Sequence, residues 1–494
     1  MVRPATLARA FSRHACGIGE DVGPVLVALL GSVLLSLLAI SQATMVGRDA
    51  ALYLDLARQA GEHGPTAVFR SYDWPWFSLL LAATRMFFGL PLEAAAYLWC
   101  TVFMAGTSAL IVLVTLRFSP GCGYWASLVA LSLPAFNQFR GDIIREHGSW
   151  FFCILALHLG LRWFERGGWW RAAAIQTAIA LGSLFRLEAA ILVPALAASL
   201  LGELNTRQGW KRMLQLNALP LAGAVAAGLA LLSGGGTSQP RVAGFVALLD
   251  PQALLLSLDT MASQFADTIL EYHAKEDARQ ILLFGLLLTL LMKFCALNGP
   301  LCLPFLYRAN WLAVGEYWHR LRPLAWTWIL YLCVLFVFFI KFRFINSRYT
   351  SFLNLLVVPL LTMALILFCR SHARWSRVVV LVLLLLMLAN VVSRGPGKTH
   401  YREAAAWMAE NTRAEDAVYY EDARIAYYAG RGYPRTDVTA QQVMSANHAP
   451  GFRYYVFTHQ PDDDTLQPWL AKQRKQLVRR FTNRKGGTVL IIGD

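Results

Sequence analysis

Apolar runs close to the ~20 residues that a membrane-crossing helix needs recur from residue 24 to residue 392, with short basic loops between them. In hydrocarbon every backbone N–H and C=O must be satisfied inside the segment, so such runs fold as helices. The segments fall at 24–44, 75–90, 92–117, 122–138, 149–164, 172–186, 188–202, 214–233, 281–306, 323–340, 348–369 and 377–392. Composition agrees. Of 494 residues, 56% are hydrophobic and 15% charged, against ~45–50% apolar and ~25% charged in soluble domains. A soluble enzyme and a disordered chain are both excluded. The net charge of +15 sits largely in loops between apolar runs, where it orients a membrane protein rather than binding nucleic acid.

Arg3, Arg9 and Arg13 precede the first run, which predicts a cytoplasmic N-terminus. That run is long for a signal peptide and no small-residue cleavage site ends it, so it reads as an uncleaved anchor. Further cytoplasmic loops are marked by Arg162, Arg166 and Arg171, by Arg207, Lys211 and Arg212, by Arg308, Arg320 and Arg322, and by Arg370, Arg374 and Arg377. Counting from the last of these puts residues 393–494 outside. Residues 45–74, 137–148 and 234–280 then form outer loops. The second carries Arg140, Asp142, Arg145, Glu146 and His147; the third opens on glycines 234–236 and continues over 254–279 as an amphipathic helix suited to a membrane surface. Three apolar segments between the first two outer loops break the parity, so segment 75–90, short and carrying Arg85, is re-entrant or another segment does not cross. About 11–13 spans are expected from length. Lys341, Arg343 and Arg348 lie on the outer side, against the positive-inside rule. An anionic lipid phosphate outside would explain them, as would snorkelling to headgroups.

The tail, 394–494, reads as a small α/β domain. Residues 401–411 have helical spacing, 417–420, 454–458 and 488–492 read as strands, 425–429 as a short helix, and Pro434, Pro450 and Pro461 punctuate the loops. The basic stretch 472–485 reads as a solvated helix face or as a contact for anionic headgroups. None of the eight cysteines lies in the tail and no CxxC spacing occurs, so a disulfide framework is not expected. Most of the thiols read as small core hydrophobes.

No P-loop, Rossmann glycine pattern, HExxH or nucleophile elbow is present. His273 with Glu271, Glu276 and Asp277 reads as a solvated helix face before it reads as a metal cluster. Charged residues instead gather where the outer ends of helices meet water. Asp49 follows the first run, Glu146 opens the run beginning near Trp150, and Arg186 and Glu188 occupy a hairpin tip. Ionisable residues at such depth are costly unless paired and are functional candidates by default; the alternative for Arg186 and Glu188 is a helix-linking ion pair. Together these groups permit transfer from a phosphate-activated lipid. Arginines hold the leaving phosphate and a carboxylate takes the proton of an acceptor hydroxyl.

These residues resemble the GT-C fold integral-membrane glycosyltransferases of family 39, which comprises protein O-mannosyltransferases, lipid A aminoarabinose transferases and their relatives. GRDAALYLDLARQAGEHG (47–64) is similar to the family's first outer loop, an acidic residue followed by Tyr, at Asp49 and Tyr53 with Arg48 beside them. YDWPWFSLLLAATRMFFG (72–89), holding Asp73, resembles the following proline segment, with Trp74-Pro75-Trp76 in place of a double proline. REHGSWFFCILALHL (145–159) places Arg145 and Glu146 at the second outer acid. LGSLFRLEAAILVPAL (181–196) resembles the family's arginine turn, and FRFINSRYTSFLNLLVVPLL (342–361) its Arg-Tyr helix start at Arg348 and Tyr349.

The resemblance implies an α-helical polytopic membrane protein, domain 1–393, with a periplasmic α/β domain at 394–494, in a bacterial inner membrane. It implies transfer of a sugar from a polyprenyl-phosphate donor to a lipid, glycan or protein acceptor on the periplasmic side. Asp49 would be the general base, Glu146 would position the acceptor, and Arg343, Arg348 and Arg186 would hold the donor phosphate. Arg48, Tyr53, Asp73, Arg145, Glu188 and Tyr349 would surround them. Ala50 stands where relatives commonly carry a second acid, so no obligatory cofactor is expected and a divalent cation is at most accessory. Rival readings are a transporter or lipid-linked glycan flippase, an O-antigen polymerase or ligase, and an inactive scaffold. No internal repeat supports the first, and the α/β tail disfavours the second.

Overall fold

A computed structural model describes residues 18–232, 243–244, 247–248, 250–392, 397–434, 438–444, 451–458 and 463–494. Arg3, Arg9, Arg13, Cys16, the glycines at 234–236, Pro450, Pro461 and the expected boundary at 393–394 lie outside these residues. The described residues gather into two compact units. One holds those up to Leu38, Trp99–Arg140 and Arg145–Val392; the other holds Ala39–Leu98, Gly141–Ile144 and those of Ser393–Asp494.

The first unit is helical because its apolar runs leave no other way to satisfy the backbone. Among the described residues four helices are long and apolar enough to cross a bilayer: Asp21–Ser41, Leu92–Phe118, Tyr272–Leu306 and Arg322–Phe342. Ser347–Leu356 and Val358–Ser371, bent by 58° where they meet, make a fifth if taken as one span. The chain is a multi-pass membrane protein. Its other apolar runs are shorter or interrupted, and prolines account for several breaks. Pro134 forces Leu133 into an extended conformation and divides the run at 122–138 into Gly123–Ser132 and Pro134–Asn137. Pro300 and Pro304 accompany the change from the helix Ala278–Asn298 to the 3-10 segment Gly299–Leu306. The amphipathic helix expected over 254–279 is not continuous. The helix Pro251–Thr268, capped by the Asp250 carboxylate, is followed by a 3-10 segment at Tyr272–Asp277.

Helix faces divide as a bundle in lipid requires. On Ile18–Ser41, Ala28, Ser32, Leu35 and Ser36 are buried while Leu30 and Leu34 stand exposed. Arg140 is buried against this inner stripe. It donates to the Ser32 carbonyl (3.0 Å) and hydroxyl (2.8 Å), to Ser36 Oγ (3.2 Å) and to Asn137 Oδ1 (2.8 Å). Neutral oxygens thus replace the water at Nε and Nη1, while Nη2 has no hydrogen-bond partner among the described residues. Cys100, Cys122, Cys153 and Cys369 are buried, whereas Cys295 and Cys333 are exposed on the protein surface.

The second unit is built on a four-stranded sheet: β1 (Val418–Tyr420), β2 (Tyr454–Phe457), β3 (Gln476–Thr482) and β4 (Thr488–Gly493), in the order β1-β2-β4-β3. β1 and β2 are parallel and the other pairs antiparallel. β4 is buried on both faces and alternates accordingly. Val489 and Ile491 pack with Met408 and Ile425 on one side, while Leu490 and Ile492 pack with Tyr455 and Trp469 on the other. β3 corrects the sequence reading. The basic stretch 472–485 is not a helix face: its middle is an edge strand whose exposed Arg479 and Arg480 mimic a solvated helix in composition.

The first outer loop, expected as a separate piece from the tail, belongs to the same unit. It forms the helices Arg48–His63 and Pro65–Ser71, and Trp76–Phe88 follows as a 13-residue helix, short for a span. The Val46 N–H donates to the Tyr428 hydroxyl at 3.0 Å, and Arg402 donates to the Thr44 carbonyl at 3.1 Å. Asp55, 2% exposed, accepts from Arg58 (2.7 Å) and Gln59 (2.6 Å). Gly432, at φ +74°, lies so close that a Cβ would meet Arg58 Nη2 at 2.9 Å and Asp55 Oδ1 at 3.0 Å. Both the backbone angle and the space exclude a side chain there. Gly432→Val is expected to destabilise this unit by about 1–3 kcal/mol, read as faster limited proteolysis of the tail in the full-length protein.

Asp422 caps the helix Ala423–Tyr428 and bridges Arg424 at 2.6 Å. Burial pushes its carboxyl up, but the Arg424 side chain and backbone N–H outweigh this and hold it below its ordinary value. A depressed carboxyl stabilises the fold above its unfolded pKa and loses that contribution as pH falls through its folded one. Asp422→Asn keeps the cap and removes the charge. It is expected to lower stability at neutral pH and to flatten the acid limb of a proteolysis-versus-pH profile below about pH 4.

Candidate functional site

Within the first unit, close helix approach gathers the charged residues. Gly148, on the helix Glu146–Arg166, has no room for a Cβ, which would meet the Phe185 ring at 2.4 Å. Gly182, on the helix Trp169–Phe185, faces Ala189 and Phe152 at 3.2 and 3.3 Å in the same sense. These small residues bring the start of one helix against the end of the other. Arg186 then leaves the helix in an extended conformation, and the 3-10 segment Leu187–Ile191 carries Glu188 back beside it.

Arg186 is bound on two sides. Its Nη1 donates to Glu146 Oε1 at 2.6 Å, its Nε donates to Glu188 Oε2 at 3.2 Å, and its Nη2 donates to Glu188 Oε1. Arg348 stands 3.9 Å from Glu146 Oε1. It lies in the first turn of Ser347–Leu356, where the Asn346 side chain accepts its backbone N–H at 3.1 Å. The Tyr349 ring lies under the Arg186 guanidinium at 4.5 Å, a cation–π contact. Tyr331, from Arg322–Phe342, donates to the Tyr349 carbonyl at 3.1 Å. Two arginines thus meet two glutamates. Glu146 is 3% exposed, and its Oε2 has no hydrogen-bond partner among the described residues. Such an atom carries a desolvation penalty that a donor from outside would relieve.

Of the residues singled out in the sequence, Glu146, Arg186, Glu188, Arg348 and Tyr349 come together here. Arg145, buried, is the residue preceding the Glu146 helix. Arg343 does not line this cluster. It is exposed, at φ +60°, where it ends the helix Arg322–Phe342. Arg48, Asp49, Tyr53 and Asp73 belong to the second unit. There Arg48 donates to the Tyr433 hydroxyl at 3.3 Å, and Asp49 stands in the first turn of its helix, which favours a carboxylate. Tyr53 is buried edge-on to Phe77, a packing position, and Asp73 is exposed.

Two contributors were not singled out in the sequence: Tyr331, inside an apolar run, and Lys293, in the helix Ala278–Asn298. Lys293 donates to the Ile345 carbonyl at 2.6 Å and so fixes the turn that leads to Arg348. A lysine within an apolar segment was the available signal. Among the described residues no group of three or more His, Cys, Asp and Glu gathers as for a metal. Between Glu146 and Glu188 the positive charge is supplied by Arg186.

Two solved structures align with nearly the whole chain. ArnT from Cupriavidus metallidurans in the apo state matches with a TM-score of 0.53 at 14% identity, over 96% of this chain and 98% of that one. The apo oligosaccharyltransferase of Archaeoglobus fulgidus matches with a TM-score of 0.53 at 13% identity, over 89% of this chain and 69% of that one. The fold is of the GT-C type. A second ArnT structure, bound to undecaprenyl phosphate, aligns with a TM-score of 0.46 at 13% identity, over 97% of this chain and 98% of that one. No family model and no curated protein matches the chain.

In this GT-C bundle the two arginines carry different loads. Removing Arg186 leaves two buried carboxylates side by side. Arg186→Met is expected to destabilise the protein by about 3–5 kcal/mol. Arg348→Gln is expected to cost less, since Arg186 remains to bridge both carboxylates. Thermal unfolding of both variants in detergent checks the difference.

Proposed function

We propose that this protein transfers a sugar from a polyprenyl-phosphate donor to an acceptor on the periplasmic face of a bacterial inner membrane. The observation that carries the reading is Arg348, 3.9 Å from Oε1 of a buried Glu146 whose other oxygen, Oε2, has no hydrogen-bond partner among the described residues. The GT-C fold supports it, and both solved proteins in the alignments at TM-score 0.53 bear names of transferases or their family.

In this mechanism the bond between the anomeric carbon and the donor phosphate breaks, and its electron pair goes to the phosphate oxygen. Arg348 holds that charge, with exposed Arg343 as a second cation for the carrier. The acceptor oxygen bonds to the anomeric carbon, and its proton passes to a carboxylate acting as general base, the role that the family resemblance gives to Asp49. Glu146 assists acceptor positioning through Arg348, 3.9 Å from its Oε1. Arg186 and Glu188 hold Glu146 in place. The small cavity among them, about 10 Å³ and at the limit of what holds one water, supports that division of roles. The N-terminus is cytoplasmic and the tail periplasmic in this reading.

Lipid mass spectrometry of cells with and without the gene tests it. Deletion is expected to accumulate one polyprenyl-phosphate sugar. The wild type clears it, while Asp49→Asn and Arg348→Gln, present at normal levels in the membrane, do not. Clearance by Asp49→Asn removes that residue as base. An unchanged lipid profile in the deletion removes the transferase in favour of a transporter or scaffold.

A further inference from the structure

The helix Glu146–Arg166 has a second polar end. Arg162 lies sixteen residues after Glu146, about 24 Å along the axis. It lines a cavity of about 460 Å³ formed with the ends of two spans, Asp21 at the start of one and Arg117 near the end of another. Cavities of about 300–1,000 Å³ are the size that takes small ligands. His158 also lines it, 8% exposed, with an Nδ1 that has no hydrogen-bond partner among the described residues. Arg117 pairs with Glu165 at 2.6 Å. Among the described residues Arg162 and Asp21 make no ion pair, so the cavity presents one cation and one carboxylate to a ligand.

The rest of the wall is apolar. Val22 and Leu26 line the cavity and are 50% and 48% exposed, so the wall continues into the outer, lipid-facing surface of the first helix. A soluble ligand has no use for such a wall; an acyl chain does. Opposite charges at the mouth match a phosphate linked to an ammonium.

We propose that this cavity is a binding site for a membrane aminophospholipid with a phosphoethanolamine headgroup. Arg162 takes the phosphate, with Arg117 and His158 adding donors. Asp21 accepts from the ammonium, and the acyl chain lies along Val22 and Leu26. The site lies at the far end of the helix from the acid–arginine cluster and does not depend on the chemistry there.

Native mass spectrometry of the full-length protein released from nanodiscs of mixed phosphatidylethanolamine, phosphatidylcholine and phosphatidylglycerol tests this. Retention of phosphatidylethanolamine about fivefold above phosphatidylcholine is expected, the worth of one charged contact at a membrane surface. Asp21→Ala should abolish that preference, because it removes the acceptor for the ammonium hydrogens that phosphatidylethanolamine has and phosphatidylcholine lacks. Arg162→Gln should lower retention of all three lipids, while Arg377→Gln, outside the cavity, should leave the profile unchanged. Equal retention of the three lipids, preference for phosphatidylglycerol, or an unaltered profile in the Asp21 and Arg162 variants would overturn the proposal. So would equal binding of free phosphoethanolamine, which lacks the chain. Lipid retention that appears only after deletion of residues 2–17 would assign the cavity to the N-terminal segment instead.

Discussion

Arg186 sits between Glu146 and Glu188, and the arrangement of the first unit around the cluster depends on that bridge. Two carboxylates this deep repel each other and have lost their water. One planar guanidinium with donors on several sides answers both. The bridge also joins the start of one helix to the turn after the next, and it works because Gly148 and Gly182 let the backbones meet. A larger residue at either glycine would move the acids away from the arginine before any charge was altered.

The unit handles a second buried guanidinium in another way. Among the described residues Arg140 has no carboxylate partner; two serines and an asparagine offer neutral oxygens to its Nε and Nη1. Such an arrangement holds the charge but offers no counter-ion to exchange. The Arg186 cluster is richer in charge: Arg186 bridges both acids, and Arg348 stands 3.9 Å from Glu146. A site that must accept and release an anion needs a cation of that kind. In our reading the two arginines divide into one that organises and one that binds.

The bundle was legible because hydropathy runs report the one constraint hydrocarbon imposes. The cluster was partly legible for the converse reason: charge next to apolar sequence is costly, so Glu146, Arg186, Glu188 and Arg348 stood out. Tyr331 did not, because a tyrosine in an apolar run gives no such signal, and its role depends on a carbonyl eighteen residues later. Arg343 looked equivalent to Arg348, yet the left-handed turn at its position separates the two. Composition could not tell the β3 strand from a helix, since charged residues on an edge strand and on a solvated helix face serve the same solvent. The union of the first outer loop with the tail was hidden for a simpler reason. It rests on contacts such as Val46 with Tyr428, 382 residues apart, and no local pattern encodes them.

The basic edge of the sheet also bears on self-association. β3 is the last strand of the sheet among the described residues, and such an edge is the usual starting point for joining two sheets into one. Were two copies to meet edge to edge, Arg479 and Arg480 of each would be brought to within roughly a strand spacing, about 4.8 Å, of their counterparts. Arg484 and Lys485 follow the strand and add to the same sign of charge. Like charges directly opposite one another oppose the pairing that the backbone invites. Like charge along this edge, together with the register irregularity between Leu477 and Arg479, therefore disfavours extension of the sheet by a second copy.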